Sequence, residues 1–237
     1  MELLPLTVAD ITQGVLNDEI RYARYGDGEF NCMMGKTGHT RDGWYYNKPL
    51  GAALRMTLRM EGFKHCYNTI SKNVNAEEWL DVNLDDRIEW YREDAILKAS
   101  LAGQLGEFVE AVRMHGEYAA IVSGNPNLKR FKAFPEAKFV TIEPQDMHEK
   151  TLRRMDEICE YIGKRFVVAL FSCGPLSNVM IARLSNVWGM TPTLLDIGSV
   201  WDMYVGDRRR SYSLRLSPQE IAELGRKNFD MDVTAWQ

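Results

Sequence analysis

The sequence has few of the residues that build metal or disulfide frameworks. Its 237 residues include four cysteines and four histidines, and neither a C-x-x-C pair nor an H-x-x-x-H pair occurs. Structural zinc sites need closely spaced ligands of this kind, and small disulfide scaffolds need a higher density of cysteine. A zinc ribbon and a disulfide scaffold are therefore both disfavoured.

Long apolar runs are missing as well. No window approaches the roughly 18 uninterrupted apolar residues of a membrane span. The N-terminal segment carries acids where a signal peptide has a basic patch. No Pro/Ser-rich linker, internal repeat or low-complexity tract divides the chain. We therefore expect a cytoplasmic protein with free thiols, folded as a single domain over residues 1–237.

Two common enzyme signatures do not occur. No G-x-G-x-x-G follows a predicted strand, because the motif Gly26-Asp27-Gly28 lacks the third glycine. The G-x-S-x-G of serine hydrolases is absent too. These absences disfavour a dinucleotide-dependent oxidoreductase and a serine hydrolase.

The composition is that of an ordinary globular protein. Hydrophobic residues make up 45% of the chain and charged residues 26%. With 29 Lys and Arg against 33 Asp and Glu, the net charge is −4. This mild acidity argues against a protein that coats nucleic acid through charge alone, although a local basic groove remains compatible with it.

Periodicity indicates strands alternating with helices. A helix-to-strand alternation predicts a Rossmann-like α/β fold, with a doubly wound, mostly parallel sheet and helices on both faces. The predicted strands are 20–25, 65–70, 118–124, 138–144, 166–171 and 192–198. The predicted helices are 49–60, 76–98 with a break near 84–85, one through Leu101 to Val112, one opened by a capping box at Asp146 and Glu149, 176–188 stopped by Gly189, and a last one capped by Ser217.

Four glycine-containing turns follow predicted strands. In open parallel sheets, ligands bind beyond the carboxyl ends of the strands. Four polar turns on that edge predict a nucleotide-sized pocket, although any one of them could be a routine chain reversal. The turns are 25–29, 123–126, 172–175 and 196–199.

The first of these turns carries two carboxylates in R-Y-G-D-G-E-F, residues 24–30. Asp27 and Glu29 are two residues apart, so both can turn toward one point as the chain leaves a strand. Mg²⁺ and Mn²⁺ take one or two carboxylates and complete their coordination with phosphate and water. The pair is thus a candidate metal site, and the alternative is an Asp-Gly turn with solvated acids.

This motif, followed by Asn31 and Met-Met-Gly, resembles the signature of the GT-D-type glycosyltransferases, a family first catalogued as a domain of unknown function. The family carries D-x-E in place of the usual D-x-D. Residues 171–175 (F-S-C-G-P) and 195–202 (L-D-I-G-S-V-W-D) resemble two later family segments, so the resemblance covers roughly residues 20 to 212. Ser199 stands where some family members have histidine.

The resemblance implies a Rossmann-like transferase that uses a nucleotide-activated sugar, most often a UDP-sugar, with Mn²⁺ or Mg²⁺. Asp27 and Glu29 would then bind the metal or the donor that it bridges. The acceptor would be a glycan or, as a lesser possibility, a modified nucleic-acid base. A non-catalytic nucleotide or sugar-phosphate binding module is the alternative, and the intact acid pair favours the enzyme.

The remaining candidate residues follow from the strand ends. Free N–H groups at the start of a helix bind phosphate. The planar guanidinium group of arginine can make two parallel hydrogen bonds to a pyrophosphate. In an extended stretch, side chains alternate, so Arg208 and Arg210 would face the donor and Arg209 would not. A solvated basic face is the other interpretation of these arginines.

Cys173 is interpreted as a small turn residue in preference to a nucleophile. The predicted donor-binding residues are Arg24, Gly26, Gly28, Ser123, Gly124, Ser172, Gly174, Arg208 and Arg210, and the predicted catalytic residues are Asp27, Glu29, Asp196 and Asp202.

The last two acids are candidates for acceptor activation, because attack by a hydroxyl needs a base within hydrogen-bond reach. The sequence ranks neither Asp196 nor Asp202 above the other. The aromatic loop Trp44-Tyr45-Tyr46 is a candidate wall for the acceptor or the base, or a half-buried anchor.

Overall fold

A computed structural model describes residues 2–40, 45–68, 74–83, 88–92, 95–142, 149–187, 192–231 and 233. Four of the sequence predictions lie outside these residues: the break near 84–85, the wall position Trp44, the cap at Asp146 and the stop at Gly189.

The described chain folds into ten strands and ten α-helices. The strands are β1 (Leu3–Leu4), β2 (Arg21–Tyr25), β3 (Gly38–His39), β4 (Tyr45–Tyr46), β5 (Phe63–Tyr67), β6 (Trp90–Arg92), β7 (Ala119–Ser123), β8 (Lys138–Thr141), β9 (Val168–Ser172) and β10 (Thr193–Asp196). The helices are α1 (Val8–Leu16), α2 (Asp27–Met33), α3 (Lys48–Thr57), α4 (Ala76–Asn83), α5 (Ala95–Ala102), α6 (Gly106–Arg113), α7 (Glu149–Gly163), α8 (Leu176–Val187), α9 (Ser211–Leu214) and α10 (Pro218–Phe229). Short 3₁₀ helices span Gly116–Tyr118, Pro126–Arg130 and Asp202–Val205.

Within the described residues, eight strands form one sheet in the order β1-β6-β5-β2-β10-β9-β7-β8. Every neighbouring pair in that sheet is parallel. A separate antiparallel pair joins β3 and β4. The predicted α/β fold with a parallel sheet is therefore confirmed.

Helices cover both faces of the sheet and enclose two hydrophobic cores. Tyr22 of β2 packs into the core that also holds residues of α1, α5, α6 and α10, such as Phe108. The next residue, Ala23, faces the opposite core, which includes Phe30 of α2 and Met180 of α8. Alternating side chains of each strand thus serve opposite layers, as expected for a sheet buried on both faces.

Strand β6 lies inside the region 76–98, which was predicted to be helical on both sides of a break near 84–85. Trp90 packs into one core and Tyr91 into the other, which is the alternation of a buried strand. Three residues are too few to establish a period of two against the helical pattern around them. The predicted helix through Leu101 is likewise two helices, α5 and α6, with Leu105 at the start of the second.

Helix caps are the predictions that hold best at residue level. Ser217 caps α10 as predicted, and it does so in a capping box with Glu220, in which the Ser217 N–H donates to Glu220 Oε2 at 2.7 Å. Pro49 lies in the first turn of α3, as predicted. Among the described residues, no helix has both the length and the apolar character to cross a membrane.

Candidate active site

The four predicted turns follow four adjacent strands of the sheet. The strands β2, β10, β9 and β7 are consecutive neighbours in the sheet order. Ser123 of β7 pairs with Ser172 of β9, and Asp196 of β10 pairs with Phe171. Because parallel strands end at the same edge, the turns after them lie side by side, at the edge where α/β proteins bind ligands.

A cleft of about 260 Å³ opens at this edge. The turns after β7, β9 and β10 line it, together with the segment that follows β10. Its lining residues are Gly124, Asn125, Pro126, Ser172, Gly174, Gly198, Ser199, Asp202, Arg209 and Arg210.

The acid motif lies at the first turn of α2. The predicted glycine turn is in fact a helix N-terminus, with Gly26 as the N-cap. The Gly26 N–H donates to Glu29 Oε2 at 2.8 Å, which completes a capping arrangement across the first turn. A Cβ atom on Gly28 would lie 4.0 Å from Cγ of Pro175, so this turn adjoins the Gly174-Pro175 turn of the cleft.

Glu29 has unusual electrostatics. Burial raises the pKa of its carboxyl group to about 7, and the charges of Asp196 and Asp27 act in the same direction. Glu29 in the first turn of α2 and Asp196 at the end of β10 therefore interact electrostatically here. Asp27 is exposed, and its Oδ1 accepts a hydrogen bond from the Gly28 N–H at 2.9 Å.

The donor set of this corner matches a hard divalent cation. Within the described residues, no group of three or more His, Cys, Asp or Glu side chains is placed to hold a metal. Mg²⁺ and Mn²⁺ need only one or two carboxylates when a phosphate supplies the other oxygens. Asp27 and Glu29 fit a cation shared with a bound phosphate in this way, with one Glu29 oxygen also engaged by the helix cap.

Arg24 and Asp196 both lie next to Gly198, in the turn after β10. Asp196 is buried, and its Oδ1 accepts from the Gly198 N–H at 3.0 Å. Gly198 has a φ of +54°, and a Cβ atom there would overlap Nη1 of Arg24. Arg24 thus extends from the end of β2 to the rim residue Gly198, although neither Arg24 nor Asp196 lines the cleft.

Asp202 lies in the cleft wall. It begins the 3₁₀ helix after β10, is buried, and accepts a hydrogen bond from Nδ2 of Asn125 on Oδ1 at 2.9 Å. Burial raises the pKa of Asp202 to about 7, while the Asn125 hydrogen bond lowers it. Of the two acids that the sequence left unranked, Asp202 is the one that faces the cleft.

The arginine run is arranged differently from the alternation expected of an extended stretch. Arg208, predicted to face the donor, donates through its guanidinium to the carbonyl oxygens of Ser213 and Leu216. Arg209 and Arg210 line the cleft instead, and Arg209 also pairs with Asp207, its Nε lying 2.8 Å from Oδ1. Arg210 therefore lies where the alternation places it, whereas Arg208 and Arg209 do not, because the chain turns into α9 at Arg210.

Two other predicted donor-binding residues have local structural roles. Ser123 is fully buried; its hydroxyl donates to the Ser172 carbonyl at 3.2 Å and accepts from the Asn125 N–H at 3.0 Å. Gly174 lines the cleft but has a φ of +54°, a conformation that the turn itself requires of glycine. Ser123 is therefore removed from the cleft surface, whereas Gly174 combines a backbone requirement with a lining position.

Cys173 behaves as a small buried turn residue. Its thiol donates to the Val122 carbonyl at 3.1 Å, and its N–H donates to the Ser177 hydroxyl at the start of α8. Burial raises the pKa of the thiol well above its usual range, so the nucleophilic thiolate is disfavoured.

Six residues of this region were not predicted from the sequence: Asn125, Pro126, Gly198, Ser199, Arg209 and Tyr212. The Tyr212 hydroxyl donates to the Ser199 carbonyl at 2.9 Å. This bond attaches residues 207–212, the arginine segment, to the turn after β10. Asn125 and Ser199 lie within the predicted turns, so the turn motifs are the sequence feature that indicates their place at the cleft. Arg209 was excluded by an assumed alternation, and nothing local marks Tyr212.

No protein-family model matches the sequence, and no curated protein is significantly similar to it. Solved structures do share its fold. Two structures of domain of unknown function 1792, one of them described as having "a distinct glycosyltransferase fold", superpose with a TM-score of 0.56 at 18% identity, over 88% of this chain and 80% of theirs. A third, "a new glycosyltransferase (DUF1792) from Streptococcus sanguinis", gives 0.57 at 16% identity, over 88% and 83%. The chain therefore has the fold of these structures, which is described as a glycosyltransferase fold.

Proposed function

We propose that this protein is a glycosyltransferase that transfers a sugar from a nucleotide-sugar donor, a UDP-sugar, to a hydroxyl acceptor. The observation that supports this most directly is the cleft at the carboxyl ends of β7, β9 and β10, with Arg209 and Arg210 in its wall, in a chain with the fold of the DUF1792 structures. The proposed acceptor hydroxyl belongs to a glycan or to a modified nucleic-acid base.

The residues around the cleft match the parts of such a donor. A nucleoside diphosphate is anionic, and the guanidinium groups of Arg209 and Arg210 supply charge-assisted hydrogen bonds to it. The twelve-residue helix α8 begins at Leu176, directly after the Gly174 turn, so its N-terminal end, which favours anions, lies at the same edge. Arg24 lies beside the lining residue Gly198 and is the candidate for a third contact with the donor.

The acids take the complementary role. When bound, Mn²⁺ or Mg²⁺ neutralises charge on the leaving diphosphate, and Asp27 with Glu29 would hold it. The carboxyl groups of Glu29 and Asp196 raise the local negative potential, which favours a cation between acid and phosphate. The chemical step itself needs a base for the acceptor hydroxyl, and acids at the strand ends are the candidates.

The test is a screen of UDP-glucose, UDP-galactose and UDP-N-acetylglucosamine with Mn²⁺, with Mg²⁺ and with EDTA. Thermal shift measures binding, and release of UDP measures transfer to water. We expect at least one donor to raise the melting temperature in the presence of metal and to be hydrolysed slowly. Binding without any UDP release under any condition would indicate the non-catalytic module, and no binding at all would contradict the proposal.

A further inference from the structure

Asn125 is held by hydrogen bonds at its backbone and at both ends of its side-chain amide. Its N–H donates to Ser123 Oγ at 3.0 Å, and its Oδ1 accepts from the Asn127 N–H at 3.1 Å. Its Nδ2 then donates to Asp202 Oδ1 at 2.9 Å. Both ends of the amide are therefore engaged, which fixes the side chain and selects the amide orientation that presents Nδ2 to the carboxylate.

Asp202 is held in turn by this contact. The residue is only 6% exposed but lines the cleft. With Oδ1 occupied by Asn125, Oδ2 is the oxygen that can take a proton from a group in the cleft. Asp196 is placed differently, since its Oδ1 is engaged by the Gly198 N–H and it does not line the cleft.

We propose that Asp202 is the base that activates the acceptor hydroxyl and that Asn125 is the positioning residue that orients it. This inference rests on the proposed glycosyltransferase function. Asp202 Oδ2 takes the hydroxyl proton while the acceptor oxygen bonds to the anomeric carbon. The bond between that carbon and the diphosphate oxygen breaks, and its electron pair leaves with the nucleoside diphosphate. The proton afterwards passes from Asp202 to solvent.

The charges around Asp202 suit this role. Burial and the nearby Asp207 raise its pKa, whereas Asn125 and the charge of Arg209 lower it. Burial and the charge of Asp202 raise the pKa of the Tyr212 hydroxyl in α9, and the charge of Arg210 lowers it. The balance places the pKa of Asp202 at about 7, where a carboxylate is both ionised and basic enough to accept a proton near neutral pH.

The experiment compares Asn125→Ser with Asn127→Ala in UDP release from the UDP-sugar that shows the largest thermal shift, with water as acceptor. Serine preserves the acceptor for the Asn127 N–H but is too short to reach Asp202. Asn127 is exposed and two residues away, so its variant is the matched control. Asp202→Asn is the third variant, and the thermal midpoint of each variant is recorded.

For Asn125→Ser we expect a kcat about tenfold lower, an unchanged donor KM, and an acidic limb of the pH–rate profile shifted to higher pH, because the ionised carboxylate loses a hydrogen bond. Asp202→Asn should lower kcat by about 10²-fold or more and remove the limb. Asn127→Ala should match the wild type. An acidic limb that arises from Glu29 would not respond to Asn125→Ser.

Two results would overturn the inference. One is an unchanged kcat in Asp202→Asn; the other is a raised donor KM with an unmoved acidic limb in Asn125→Ser, which would make the pair a donor-binding element. These results differ from a failure of the proposed function, in which the wild type neither binds nor hydrolyses any UDP-sugar.

Discussion

The side-chain amide of Asn178, in the first turn of α8, donates to the backbone carbonyl of Arg24 at 2.6 Å. This contact spans 154 residues of sequence and joins the helix after β9 to the end of β2. Asn178 is fully buried. The acid motif that follows β2 and the glycine turn that precedes α8 therefore keep a fixed relative position, and a ligand that contacts both meets one rigid surface.

The acid pair is expected to control metal-dependent donor binding. Asp27→Asn and Glu29→Gln should each abolish the Mn²⁺-dependent part of donor binding, because an amide is a poor ligand for a hard cation. Glutamine at position 29 still accepts from the Gly26 N–H, so the cap should persist. Isothermal titration calorimetry with and without Mn²⁺ measures the effect.

Glu220→Gln is the matched control, since Glu220 occupies the same position in the capping box of α10 and is exposed. It should leave donor binding unchanged and show what the cap alone contributes to stability. Unaltered metal dependence in both acid variants would remove Asp27 and Glu29 from the site.

The three consecutive arginines should separate into two classes. Arg210→Ala should weaken donor affinity about tenfold to a hundredfold, since a charge-assisted hydrogen bond contributes about 1.5–3 kcal/mol. Arg208→Ala should leave affinity nearly unchanged and lower stability by about 1–3 kcal/mol, because the carbonyls of Ser213 and Leu216 lose their donor. Donor titrations and urea melts of both variants give the two numbers. A comparable loss of donor affinity in both variants would instead support the extended arrangement, in which Arg208 and Arg210 both face the donor.

Gly198→Ala should affect the donor through Arg24. The new methyl group would overlap the Arg24 guanidinium, so the arginine must move from the rim of the cleft. Gly35→Ala is the control, because Gly35 also has a positive φ, of +80°, but has open space around it. Each variant carries a backbone cost of about 1 kcal/mol, and only Gly198→Ala should also reduce donor affinity. Equal donor affinities in the two variants would show that Arg24 does not bind the donor.

Asp202 should make folding stability depend on pH. Its pKa is raised from 3.8 to about 7, so between these values the unfolded chain ionises before the folded one. Stability from this group is therefore full below about pH 4 and is lost as the pH rises toward 7. Relative to wild type, Asp202→Asn should gain stability over that range, up to about 4 kcal/mol at pH 8.

Urea unfolding of both proteins at pH 4, 6 and 8 measures this difference directly. Taking the difference between the proteins removes the contribution of other groups with raised pKa values, such as Glu29. A difference that stays constant with pH would mean that Asp202 titrates normally.

The sequence was sufficient for six of the eight strands of the sheet, all but β1 and β6, and for the edge where the cleft lies. These features depend on periodicity and on glycine turns after strands. Ser172 and Gly174 were found in this way. The roles of individual side chains were less accessible. Ser123 and Asn125 share one turn, yet the first is buried and the second supports Asp202, and this difference depends on contacts with β9 and with residue 202.

The arginines show the same limit at shorter range. Alternation along an extended chain predicted Arg208 for the donor, but the start of α9 turns the segment, and carbonyl oxygens of the following residues bind Arg208. Local pattern does not contain that information, since the acceptors are positioned by the packing of α9.

The arginine segment is attached to the protein at several points. The Asp207 N–H donates to the Asp202 carbonyl, and the Arg208 guanidinium donates to the carbonyls of Ser213 and Leu216. The Tyr212 hydroxyl donates to the Ser199 carbonyl. Its conformational entropy is therefore lost when the chain folds, not when a ligand arrives. A preorganised clamp of this kind binds without an ordering penalty. The affinity of the protein for the donor should then fall under mild denaturing conditions that loosen α9 before the sheet unfolds.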